Sequence, residues 1–325
     1  MFDRRRLMLA AGAGLLPSSA WAQVATPPEA PPEEPPIDQA ALDVLPNLVT
    51  RMSVPVELNG QPGFGFVVDT GANRTALATE VADALGLPRG PDVLVNGVTA
   101  AEPTPTARLD RLSVAGATFN DILAPLVPRL RLGVDGLLGV DVLGRFVVTF
   151  DVVGGQLHLG RRRVGLSFVD GSRLDDANRL NAQQRFGQLS IIDVRADDQR
   201  VRAFIDSGSQ YTIGNMALFR TLAVRRPDIL ERRWTVPVIG ATGQSVTGEL
   251  AILRSVRMGA VTLFELPVVF CDLHVFSIWR LTDTPGLIFG ADMLRLFEQV
   301  TVDFPRREVI LGRPRPRDET RDAAG

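Results

Sequence analysis

Three segments of this 325-residue chain recur later in it in the same order, and this duplication constrains the fold more than any other feature. Gly65–Ala72 (GFVVDTGA) resembles Arg202–Ser209 (RAFIDSGS). Ala107–Phe119 matches Ala251–Leu263, and Gly136–Leu143 (GLLGVDVL) matches Leu287–Leu294 (LIFGADML). The offset between partners widens at each step, as two short loop insertions in the second copy would produce. The copies cover residues 47–163 and 187–312, joined by a polar linker over 164–186. Two similar lobes are therefore expected in one chain.

Within each copy the pattern is that of short strands. Val54 to Leu58 leads through Asn59-Gly60, a strong two-residue hairpin turn, into the apolar run Phe64 to Val68. Leu189 to Val194, the turn Asp197-Asp198, and Val201 to Ile205 repeat that plan. A short helix is predicted after each Asp-containing turn, over Ala78 to Leu87 and Met216 to Val224. Each copy closes with paired strands: Phe146–Phe150 with Gln156–Leu159, and Gln299–Phe304 with Glu308–Leu311. The fold class is all-β, two hairpin-rich lobes with short helices.

The ends read differently. Arg4-Arg5-Arg6, an apolar run from Leu7 to Leu16, and Ala20-Trp21-Ala22 form an export signal over residues 1–22, with a twin-arginine flavour. That run is too short for a permanent anchor, so no membrane anchor is expected in the mature form. Residues 23–46 are rich in proline and read as a disordered spacer, and 313–325 as a disordered tail. The chain is expected to be exported, to a periplasm or the medium.

Composition narrows the chemistry. The formal net charge of −2 gives no reason to expect nucleic acid as a partner. Every basic residue is arginine, which excludes a catalytic lysine. With Cys271 as the only cysteine and two histidines, a Cys/His metal site is not expected, and the apolar run before Cys271 suggests a buried thiol. No cofactor is implied.

What remains are two carboxylates at equivalent points of the repeats. Asp69-Thr70-Gly71 and Asp206-Ser207-Gly208 each follow an apolar strand. Hydrolysing an amide requires one group to take a proton from water and another to protonate the carbonyl oxygen. Two carboxyls a few ångströms apart cannot both ionise cheaply, so they share one proton and divide those roles. Gly71 and Gly208 permit close approach of the chain to the carboxylates. Asp141 and Asp292, each beside a helix-like run, are read as helix-favouring residues. Asn73, Arg74 and Gln210 flank the turns, where they touch substrate or brace the turn.

These residues resemble the aspartic peptidases, the retropepsin-like branch and its bacterial relatives, over nearly the whole repeated body. In that family a hydrophobic-hydrophobic-Gly segment passes behind each Asp-Thr/Ser-Gly turn, and Leu137-Leu138-Gly139 and Ile288-Phe289-Gly290 match it. The resemblance implies two retropepsin-like β-barrel lobes in a bilobal pepsin-like fold, with Asp69 and Asp206 as the catalytic pair. It implies that Thr70 and Ser207 brace the turns. It also implies flap hairpins, placed at Asn96-Gly97 and at Gly240 to Gly243. The tyrosine of a pepsin-type flap is missing, because the single tyrosine, Tyr211, follows the second turn.

The function expected is an endopeptidase acting on a protein or peptide through water held between Asp69 and Asp206. One rival is a pepsin-like module that binds peptide or glycan without cleaving it; another is an assembly protein whose lobes pair between chains. Since both half-sites lie in one chain, a monomer is expected.

Overall fold

A computed structural model describes residues 37–43, 53–97, 101–162, 178–185, 188–231, 233–239 and 244–315. The export signal and the far C-terminal tail lie outside the described residues. After a leading strand β1 (Ile37–Asp43), the first lobe opens with the hairpin of β2 (Ser53–Leu58) and β3 (Gln61–Val68). Its two turn residues, Asn59 (φ 48°) and Gly60 (φ 85°), both take the left-handed conformation that matches the twist of the flanking strands. The lobe continues through β4 (Ala76–Ala78), α1 (Thr79–Ala84), β5 (Arg89–Asn96), β6 (Ala101–Val114) and β7 (Ala117–Val127). It finishes with α2 (Arg129–Leu132), β8 (Gly136–Leu138), α3 (Val140–Leu143), β9 (Val147–Asp151) and β10 (Gln156–Arg162).

The second lobe repeats the plan: β11 (Arg179–Arg185), β12 (Gln188–Ala196), β13 (Gln199–Ile205), β14 (Ile213–Gly214), α4 (Met216–Arg225), α5 (Asp228–Glu231) and β15 (Trp234–Ile239). Then follow β16 (Ser245–Met258), β17 (Val261–Phe270), α6 (His274–Ile278), β18 (Gly286–Phe289), α7 (Ala291–Leu294), β19 (Gln299–Asp303) and β20 (Glu308–Leu311). Its first hairpin turns on Asp197 (φ 45°) and Asp198 (φ 63°), the same turn made without glycine.

Strand order is identical in the two lobes. The first reads β2-β3-β8-β4-β7-β6-β5, and a β2–β6 pairing closes six of these strands into a barrel. The second reads β12-β13-β18-β14-β17-β16-β15, closed by β12–β16. In each, the Asp-bearing strand runs parallel to the strand that ends in the later glycine: β3 with β8, β13 with β18. Inward residues of β2 alternate (Val54, Val56, Leu58), whereas β3 is buried continuously at Phe66, Val67 and Val68, just before Asp69. Each large apolar side chain so buried contributes roughly 2–3 kcal/mol relative to exposure.

A third sheet joins the lobes in the order β1-β10-β9-β19-β20-β11; its hairpins β9–β10 and β19–β20 are the closing pairs expected from the sequence, whereas their union was not foreseen. At its centre β9 pairs antiparallel with β19, Thr149 opposite Thr301. These two are counterparts in the short repeat VVTFD and QVTVD, and their hydroxyls meet at 2.9 Å across a local twofold axis. Two stretches read as linker contribute to this sheet. Residues Ile37–Asp43, placed in the Pro-rich spacer, form β1 on β10. Arg179–Arg185, placed in the inter-lobe linker, forms β11 and pairs with both β12 and β20. Their signals are weak: β1 follows directly on a proline-rich stretch, and β11 turns only Leu180 and Ala182 inward among polar residues.

Candidate active site

Both aspartates sit where the Asp-bearing strand leaves its barrel. Asp69 N donates to Leu138 O and Asp206 N to Phe289 O, each at 3.0 Å, so the neighbouring parallel strand holds each turn from behind. The turn then folds back on the carboxylate. Asp69 Oδ1 accepts from Gly71 N (2.9 Å) and Ala72 N (3.0 Å). Asp206 Oδ1 accepts from Gly208 N (3.0 Å) and Ser209 N (3.1 Å). Each carboxylate keeps its second oxygen, Oδ2, outside this pair of amides.

The turns interlock. Thr70 Oγ1 donates to Ile205 O (2.9 Å) and accepts from Ser207 N (3.0 Å). Ser207 Oγ donates to Val68 O (2.7 Å) and accepts from Thr70 N (3.1 Å). All four bonds are buried and cross between lobes. Breaking one would leave a desolvated donor or acceptor, at a cost of about 1–3 kcal/mol. The glycines make the approach possible: a Cβ on Gly71 would lie 2.3 Å from Asp206 Cγ, and one on Gly208 would lie 2.3 Å from Asp69 Oδ2.

The carboxyls of Asp69 and Asp206 consequently face and hydrogen-bond each other. Asp206 is buried and Asp69 half-buried. Burial first, and the charge of Asp69 second, push the Asp206 carboxyl up to about 8. A carboxyl so raised holds its proton at neutral pH. Among the described residues, no three His, Cys, Asp or Glu side chains gather in a way that could hold a metal ion.

Behind the turns lies a second duplicated device. Thr75 N and Oγ1 donate to Asp141 Oδ1 (2.9 and 2.8 Å), while Thr75 Oγ1 accepts from Gly139 N (3.1 Å). Thr212 N and Oγ1 donate to Asp292 Oδ2 and Oδ1 (2.9 and 2.7 Å), and Thr212 Oγ1 accepts from Gly290 N (3.2 Å). The two aspartates thus tie α3 and α7 to the chain leaving each turn. The N-caps themselves are Gly139 and Gly290. The expectation of a helix-favouring role is met in part, since Asp141 accepts from Val142 N and Asp292 from Met293 N. The sequence reading missed Thr75 and Thr212. Their signature was available: a threonine six residues after each Asp.

The flap positions fare unequally. Asn96 ends β5, whose pairing with β6 makes a hairpin that Gly97 continues. Asn96 Oδ1 lies 3.4 Å from Nε2 of His274 on α6, a contact from one lobe to the other. In the second lobe β15 and β16 form the corresponding hairpin, but Gly240 and Gly243 lie outside the described residues. Cys271 is buried, and burial pushes its thiol up to about 12, so it is not a nucleophile in waiting.

Two six-stranded barrels of one topology, each presenting an Asp-Thr/Ser-Gly turn to the other, define a retropepsin-like protein with both lobes in one chain. Residues 54–142 and 192–293, more than half of the chain and one stretch per lobe, match the sequence profile of the aspartyl protease family; the chain belongs to that family. It is 29% identical over 134 residues to Protein DDI1 homolog 1 of Bos taurus, covering 40% of this chain and 30% of that protein. It is 32% identical over 145 residues to DNA damage-inducible protein 1 of Cryptococcus neoformans, covering 43% and 32%. The chain therefore spans about a third of the length of these curated relatives. A solved retropepsin-like aspartic protease from Rickettsia conorii is 23% identical, with a TM-score of 0.29, over 40% of this chain and 96% of that one.

Proposed function

We propose that the protein is an aspartic endopeptidase that cleaves peptide bonds with a water held between Asp69 and Asp206. The observation that carries this reading is the facing carboxyl pair, of which Asp206 is the buried, raised member. Asp206 holds the shared proton and gives it to the carbonyl oxygen of the substrate. Asp69 takes the proton from the attacking water, so that one acid and one base act together without a covalent intermediate. The amides of Gly71, Ala72, Gly208 and Ser209 fix one oxygen of each carboxylate and so set the orientation of the pair. The β5–β6 and β15–β16 hairpins are the elements that would cover a bound peptide.

The wider reading is that the chain is exported and works as a monomer, since one polypeptide supplies both turns. The test is direct. Asp69→Asn and Asp206→Asn should each abolish cleavage of a mixed peptide library, read by mass spectrometry, while circular dichroism stays that of the wild type. Turnover by a folded Asp206→Asn variant would overturn the dyad. Activity regained on mixing the two inactive variants would overturn the monomer.

A further inference from the structure

The residues beside the first turn line a cavity of about 660 Å³, walled by Asn73, Arg74, Phe119, Asn120, Asp141 and Arg145 among others. Its charges are unevenly answered. Asp141 spends its carboxylate on Thr75 and Val142, and Asp121 at the rim pairs with Arg108 at 2.5 Å. Arg74 and Arg145 have no carboxylate or other side-chain hydrogen-bond partner among the described residues. Arg145 is instead laid over the ring of Phe119, its Cζ 5.2 Å from the ring centroid, a cation–π contact that makes no use of the guanidinium's hydrogen-bond donors.

The duplication supplies an internal control. Counting from the paired turns and strands, the second lobe has Tyr211 where the first has Arg74, Phe264 where it has Asn120, and Leu296 where it has Arg145. Tyr211 and Phe264 are 56% and 66% exposed, so aromatic rings stand at these positions, while the carboxylates of Asp121 and Asp141 recur as Glu265 and Asp292. Two copies that share every hydrogen bond of the turns have diverged here, and only the first carries the two guanidiniums.

We infer that the Arg74–Arg145 cavity is a carboxylate-binding subsite for an acidic side chain of the peptide substrate. This rests on the peptidase reading. Because a local twofold axis relates the lobes, a guanidinium pair present on one lobe only favours an acidic residue on one side of the scissile bond only. Two guanidiniums meeting one carboxylate give charge-assisted, forked hydrogen bonds that a neutral amide cannot reproduce.

The test walks a single Glu through every position on both sides of a susceptible bond, each peptide matched by its Gln isostere, with the full chain as enzyme. The expected result is a Glu-over-Gln advantage in kcat/KM of roughly fivefold or more at one position on one side, shrinking in about 0.5 M salt. In Arg74→Gln/Arg145→Gln the ratio should fall to about one, and in Arg74→Glu/Arg145→Glu a Lys peptide should become preferred. A wild-type ratio near one at every position, or a ratio that survives the double substitution, would overturn the subsite. If no peptide is cut at all, the peptidase reading fails, and the subsite is judged by fluorescence anisotropy of the labelled peptides. Tighter binding of the Glu peptide, lost in the double Gln variant, sustains it; equal binding of the pair overturns it.

Discussion

The two lobes agree bond for bond at the turns and disagree in much of what supports them. In the first lobe α1 is short and its N-cap is Ala78, with no side chain capping it. At the equivalent point of the second lobe Asn215, fully buried, caps the longer α4. Its Oδ1 accepts from Leu218 N and Gly286 N, and its Nδ2 donates to Leu281 O and Thr284 O. The second lobe also carries an ion cluster in which Arg226 bridges Asp197 and Asp228, and a satellite core of Phe204, Cys271, Phe276 and Trp279 around α6. The lesson is that shared chemistry ties the two copies at the turns and in the threonine–aspartate bonds directly behind them. Farther from the turns each was free to find its own means of stability, and the second lobe accumulated more of them.

The strongest way to break this comparison is to alter the shared part. Gly71→Ala and Gly208→Ala each drive a methyl into the opposite carboxyl, so each should lower kcat/KM by about 100-fold or more, and by similar factors. Peptide turnover measures it, and a large inequality would mean that the lobes are not equivalent at the turns. Next comes the unshared part. Asn215→Ala strands several buried backbone groups and should lower stability by about 3 kcal/mol in urea titration. Ala78→Gly, its first-lobe counterpart, should cost about 1 kcal/mol.

Asymmetry inside the dyad can be sharpened with pH. The Asp206 carboxyl is raised in the folded state to about 8, so the stability linked to its neutral form is complete below the ordinary carboxyl range and is lost as pH rises toward 8. The side-chain amide of an Asp206→Asn variant cannot ionise. The variant should therefore gain stability on the wild type steadily as pH rises from about 5 to about 8, seen as a widening gap in melting temperature. Cleavage by the wild type should likewise fall as pH passes about 8, because the shared proton is lost. The smallest effect concerns the supporting threonines. Thr75→Val and Thr212→Val should each cost about 1–2 kcal/mol, and nearly the same amount, since both make the same set of bonds.

How much of this was readable in the residues follows from the range of the interactions. The turns, the hairpins at Asn59-Gly60 and Asp197-Asp198, and the glycine segments behind the turns were legible because local backbone conformation and close approach demand particular residue types. The bracket of Thr70 and Ser207 followed from the family resemblance, and the structure has it. The two closing hairpins were legible, but their union into one central sheet was not. The pairing of β9 with β19 joins strands far apart in the chain, with no turn between them to mark a partner, and the apolar alternation of β11 is only Leu180 and Ala182. Asp141 and Asp292 were read for a local role, whereas their main partners lie 66 and 80 residues away. The Asn96–His274 contact spans 178 residues and joins lobes at a point where the repeat itself offers no guide.

The Thr149–Thr301 pair, separated by 152 residues, sets a timetable for the chain as it is made. Synthesis proceeds from the N-terminus, and a barrel with mostly nearby partners can close soon after its own strands emerge. The first lobe can therefore be finished while the second does not yet exist. β19 is translated only after every strand of the second barrel, and its arrival lets β9 find its partner and draws one aspartate turn against the other. The complete pair is thus assembled late, once both barrels have left the ribosome, and a nascent chain that stops short of β19 carries both turns without the sheet that holds them face to face.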